Sequence, residues 1–107
     1  MSLSKIAVKR LTILADFMDA FPKSERKLFD MEFYERKTAC GTVMCAAGWA
    51  AQVPSFKKAG LFLMDEQYFF HIKISDWRNL FSPCLRKTIK SPTQWAAHCR
   101  KYIKKNS

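Results

Sequence analysis

Thr38-Ala39-Cys40-Gly41-Thr42-Val43-Met44-Cys45-Ala46-Ala47-Gly48, followed at once by Trp49-Ala50-Ala51, is an uncharged stretch set in a highly charged chain. It holds two of the four cysteines and two of the three glycines. Gly41 supplies a turn and Thr42 an N-cap, so the pattern predicts a helix over 42–53 that stops at Pro54. Its side chains are apolar nearly all round, the mark of a central helix. Ala46, Ala47, Gly48, Ala50 and Ala51 would let neighbouring backbones approach closely.

The chain on either side reads as helical too. Leu3, Ala7, Leu11, Leu14, Met18 and Phe21 recur at steps of three and four, one stripe of a helix over 4–20 with Ser4 as N-cap and Pro22 as stop. Lys23 to Lys27 form a solvated loop or short turn. Phe29, Met31 and Phe33 alternate with polar neighbours, an extended segment too short to imply a sheet. Pro54 to Gly60 suggests a single helical turn closed by a left-handed Gly60. Leu61 to Met64 is an apolar run. Asp65 and Ser75 are caps for two short helices, the second carrying Trp77, Leu80 and Phe81 and ending at Pro83. Ser91-Pro92-Thr93-Gln94 is a capping box opening a helix over 92–105, with the stripe Trp95, Cys99, Tyr102 and Ile103. The expectation is one all-α domain over 1–107, a bundle of two long and several short helices around the small-residue helix, with a basic C-terminal helix.

Composition narrows the function. With 49% hydrophobic and 14% aromatic residues the 107-residue chain can fill one modest core. No apolar run reaches the ~18 residues of a membrane span. Lys5, Lys9 and Arg10 before Leu11 resemble the start of a signal peptide, but Asp16 and Asp19 interrupt it. A cytoplasmic protein with reduced thiols is therefore expected, without a membrane partner. The net charge is +10, and residues 83–107 contribute +7 of it without one acid. Such a surface favours anionic partners, whether nucleotides, nucleic-acid phosphates or an acidic protein.

The motif Cys40-Gly41-Thr42-Val43-Met44-Cys45-Ala46-Ala47-Gly48-Trp49-Ala50 resembles one found in small uncharacterised proteins of bacteriophages and bacteria. Their pattern reads Cys-Gly-Thr, two residues, Cys, two residues, Gly, Trp or His, Ala. The helix from Leu11 to Phe21, the Gly60-Leu61 pair, and Trp77 with Leu80-Phe81 and Pro83 extend the resemblance over 11–83. It implies a small accessory protein acting in the host cytoplasm if phage-encoded. Such a protein would sequester a nucleotide used in host defence or bind a host protein.

Candidate chemistry can be stated residue by residue. At a helix start, the amides of Gly41, Thr42 and Val43 could cradle a phosphate, against the plain alternative of a turn and a cap. Cys40 and Cys45, with Cys84, Cys99, His71 and His98, give weak metal spacing and suit burial better. Cys40 as a nucleophile lacks an evident histidine base. Trp77 beside Arg78, with Ser75, Asp76 and Asn79 as a polar rim, could stack a base. Arg86, Lys87, Arg100 and Lys104, with Lys90, Lys101 and Lys105, form the basic face. No helix-turn-helix or zinc-finger pattern suggests base-specific reading. The expected function is non-catalytic binding of an anionic, nucleotide-type molecule, without cofactor or metal and with possible homo-oligomers. A nucleic-acid binder and a protein inhibitor are the alternatives.

Overall fold

Ser4 opens the first helix as its sequence demands. Its hydroxyl accepts from the Ala7 amide at 3.1 Å, and α1 runs Lys5–Asp19. Ala7, Leu11, Leu14, Ala15 and Met18 are sealed from solvent along one face. The computed structural model describes residues 3–31, 36–38, 41–61 and 66–106, without the side chains of residues 36, 38, 41, 83 and 86. Phe33, Met64 and Asp65, the last read as a cap, lie outside the described residues.

A 3₁₀ helix, Lys23–Leu28, follows Pro22. Phe29 and Met31 then drop into the core as their alternation suggested. Next the structure departs from the expected helix over 42–53. Gly41–Val43 is a strand, β2, paired antiparallel with β1, Arg36–Thr38, in the register Arg36 to Val43 and Thr38 to Gly41. Two further hydrogen bonds extend β2 beyond the ribbon: Met44 N–H to Leu28 O at 2.9 Å, and Asp30 N–H to Met44 O at 3.0 Å. These long-range bonds, with the strand preference of β-branched Thr42 and Val43, outweigh local helix propensity. Thr42 is therefore no N-cap. Cys45, in extended conformation, precedes a shorter helix, α2, Ala46–Ala50. Val53 is extended before Pro54, as a residue ahead of proline should be, and Pro54 opens α3, Pro54–Lys58. Gly60 closes that turn with φ of 88°.

Within these narrower limits α2 is the buried small-residue helix the composition called for. Ala46, Ala47, Gly48 and Ala50 are all buried. They share one core with α1 and with α6, Pro92–Asn106. The two long helices run antiparallel: Leu3 N–H reaches Asn106 O at 2.7 Å, and the Cys99 thiol meets Leu11 O at 3.7 Å. Between them and the short helices runs a relay of rings. Phe56 meets Phe70 edge-on, Phe70 stacks on Phe81 at 5.4 Å, and Phe81 tilts against Trp95 at 5.7 Å. The Trp95 indole N–H donates to Leu80 O at 2.6 Å, which satisfies its one polar atom in the core. The fold is all-α in a single domain, with a two-stranded ribbon among the described residues.

The short helices α4, Glu66–Phe69, and α5, Ile74–Phe81, complete the layer beside α6. The cap of α5 is Lys73, two residues before the expected Ser75. The turn between α4 and α5 ends on His71, the one described non-glycine residue with positive φ, at 56°. His71 N–H bonds Tyr68 O and Ile72 N–H bonds Gln67 O, the paired bonds of a Schellman cap in which glycine usually stands.

At the start of α6, Gln94 N–H donates to the Ser91 hydroxyl at 3.2 Å, and the Gln94 side chain accepts from Lys90 N–H at 2.6 Å. Ser91→Ala should lower unfolding free energy by about 1 kcal/mol in urea titration. His71→Gly should raise it by roughly 1 kcal/mol, because the left-handed backbone then costs no Cβ clash. A destabilised His71→Gly variant would mean that the imidazole itself supports the turn.

Candidate functional site

The charges of α6 divide by face. Arg100 turns toward α1. Its guanidinium donates from Nη1 to Asp19 Oδ2 at 2.7 Å and from Nη2 to Asp16 Oδ1 at 2.8 Å. These hydrogen bonds to the two carboxylates raise its pKa further above the ordinary arginine value. Arg100 therefore ties two helices together, and its charge is neutralised locally. Lys101, Lys104 and Lys105 are exposed and make no ion pair among the described residues.

Lys101 and Lys105, one helical turn apart, border a groove of about 310 Å³ between α5 and α6. Asp76 and Asn79 of α5 and Tyr102 of α6 also line it. His98 Nε2 meets Asn79 O at 2.6 Å. A carbonyl can only accept, so Nε2 carries the proton there and the contact pins α5 to α6. Tyr102 is more than nine-tenths buried, and its hydroxyl has no hydrogen-bond partner. Its pKa is raised first by burial and then by the neighbouring Asp76 carboxylate. That carboxylate is close without forming a well-directed bond. An unsatisfied buried hydroxyl costs about 1–3 kcal/mol, so the position is not optimised for stability alone.

Tyr102, Asp76 and Asn106 also line a second groove of about 410 Å³, bounded by Ser4, His71 and Lys73. A third, smaller hollow of about 230 Å³ lies beside Lys9 and Phe69. There Arg10 already rests 4.0 Å over the Phe69 ring and donates to Phe69 O at 2.5 Å.

The residues singled out in the sequence do not form one site. Gly41, Thr42 and Val43 sit in β2, and their amides belong to a strand instead of a helix start. The phosphate cradle expected there is corrected on that ground. Trp77 is half-buried against the core, with its indole N–H 3.4 Å from the buried Glu66 carboxylate, while Arg78 is exposed. Neither lines the α5–α6 grooves, although their polar neighbours Asp76 and Asn79 do. Lys87 is exposed on the 3₁₀ helix Pro83–Lys87, which also carries Arg86. Lys104 is exposed beside the groove without lining it. Tyr102 was legible only as core, and nothing in its spacing signals a missing partner.

Among the described residues, no three His, Cys, Asp or Glu side chains gather as a metal site. Cys40 lies outside the described residues. Cys45 and Cys99 are buried, Cys84 is exposed, and all three are free thiols. Burial raises the pKa of Cys45 and pushes that of Cys99 up to about 12. No described helix is long and apolar enough to cross a membrane. No protein-family model, curated protein or solved structure matches the chain.

Thiolate is the reactive form of cysteine. A thiol reagent near pH 8 should therefore modify Cys84 and spare Cys45 and Cys99 until the protein unfolds, as mapped by peptide mass spectrometry. The folded pKa of Cys99 lies above the ordinary 9.0, so its neutral thiol stabilises the fold fully below that pH. This contribution is lost as pH rises toward about 12. Alkaline denaturation of Cys99→Ala should lack that component. The Arg100 pairs are largely exposed, so a double-mutant cycle of Arg100→Ala with Asp16→Asn should give a coupling below about 1 kcal/mol that shrinks with salt.

Proposed function

We propose that this protein is a non-catalytic binder of an anionic, nucleotide-type small molecule, held in the groove between α5 and α6. The observation that carries this reading is the pair Lys101 and Lys105 on the border of a concave polar groove, uncommitted to any acid among the described residues. The lysines would neutralise phosphate, while Asn79 and Asp76 would meet the hydroxyl and amino groups of the remainder.

The resemblance of the Cys40 to Ala50 motif to small phage and bacterial proteins supplies a setting: sequestration of a host signal nucleotide in the cytoplasm. Within that setting the motif acts as architecture. Its Cys45, Ala46, Ala47 and Ala50 lie in the core, and its Trp49 indole N–H bonds Leu28 O at 3.0 Å. Binding to nucleic-acid phosphates is the competing reading for the same lysines, and salt separates the two. A backbone tracked by many cations loses affinity steeply between about 50 and 200 mM salt, whereas a pocketed nucleotide loses much less.

Isothermal titration with a panel of mononucleotides and dinucleotides should give saturable binding. The Lys101→Ala/Lys105→Ala variant should lose roughly 1.5–3 kcal/mol per phosphate contact removed, with an unchanged melting temperature. Absence of binding across the panel, together with retarded DNA or RNA in low-salt gels, would replace this reading with the nucleic-acid one.

A further inference from the structure

Asp76, Tyr102 and Asn106 line both larger grooves, so the hollow between α5 and α6 adjoins, across these residues, the one that reaches the start of α1. We infer that the two grooves form one trough for a ligand with two anionic groups flanking a segment rich in hydrogen-bond donors. This deepens the nucleotide reading and rests on it.

The pattern of charge along the trough sets that chemistry. Lys101 and Lys105 stand at one end. Lys73, exposed at the cap of α5, stands at the other with His71. Asp76 lies at the shared waist and forms no ion pair among the described residues. A phosphate at the waist would face the Asp76 carboxylate and be repelled, whereas a ribose hydroxyl or an exocyclic amino group would donate to it. The waist also holds Tyr102, whose buried hydroxyl lacks a partner. That hydroxyl has almost no exposed surface and sits beside Asp76, so the waist meets a ligand through the Asp76 carboxylate. Cation, carboxylate and cation in sequence match two phosphates separated by a nucleoside. A single phosphate, or a run of adjacent ones, leaves either one cationic end or the waist unused. The class of ligand is therefore a dinucleotide in preference to a mononucleotide or a polyphosphate.

Titration of the full chain with the linear dinucleotide pApA, with AMP and with inorganic pyrophosphate tests this. The expected result is pApA binding at least about tenfold tighter than either of the others. Lys73→Ala should bring pApA down to the affinity of AMP without changing AMP itself. Lys101→Ala should weaken both nucleotides. Lys58→Ala on α3, away from the trough, serves as the control that changes nothing. If AMP binds as tightly as pApA, or if Lys73→Ala leaves pApA binding intact, the site is one-ended: the trough falls and nucleotide binding stands. If none of the three probes binds, both fall.

Discussion

The antiparallel contact between α1 and α6 is the constraint on which the rest depends. Each helix contributes one apolar stripe, and the two stripes close on each other around Leu11, Leu14, Trp95 and Cys99, all sealed from water. Burying side chains of this size contributes about 1.5–3 kcal/mol each, far more than any exposed ion pair in the structure. The pairing joins residues nearly the whole chain apart, from Leu3 with Asn106 to Asp19 with Arg100. Everything between must fold back into the angle left by these two helices. The short helices, the ribbon and the ring relay from Phe56 to Trp95 are how it does so.

Where local signals and tertiary demands agreed, the sequence was readable. Ser4, Ser91 and Gly60 each act within a few residues of themselves, and the caps and the left-handed turn they announce are present, whereas Pro54 opens α3 and α2 has already ended at Ala50. Periodicity exposed both long stripes, because a surface helix buries one face and the alternation of polarity records it. The reading failed at Gly41 to Val43. The partners that make those residues a strand, Arg36 to Thr38, and those that bond the adjoining Met44, Leu28 and Asp30, lie outside the helical window. A run of apolar residues is compatible with a buried helix or a buried strand, and only the hydrogen bonds to distant backbone decide. α2 keeps the burial foreseen for it but only five residues of the length.

The candidate site was legible in its charge and not in its geometry. The concentration of lysine after residue 83 is visible from composition alone, yet composition does not say which cation is already matched. Arg100 and Lys101 are neighbours in sequence and point to different sides of the helix. One bonds Asp16 and Asp19, and the other borders the groove. That division depends on the α1–α6 contact, which brings two acids from the far end of the chain against one face of α6 and leaves the other face without them. The same contact makes Cys99 a core residue, its thiol against Leu11 O and held neutral by burial.

Tyr102 shows how the two faces meet. Its place in the Trp95–Cys99 stripe asks for an aromatic ring, and phenylalanine would supply the apolar area without a polar atom to satisfy. The hydroxyl instead ends beside Asp76, from another helix, without a well-formed bond. Stability alone gives no reason for this choice, because burial of an unpartnered hydroxyl opposes folding. Just beyond it, the core stripe gives way to a polar waist shared by two grooves. A residue that packs like core and still presents polarity at the boundary is what such a junction requires. Burial fixes the ring, and a fixed ring holds its oxygen in place beside the Asp76 carboxylate.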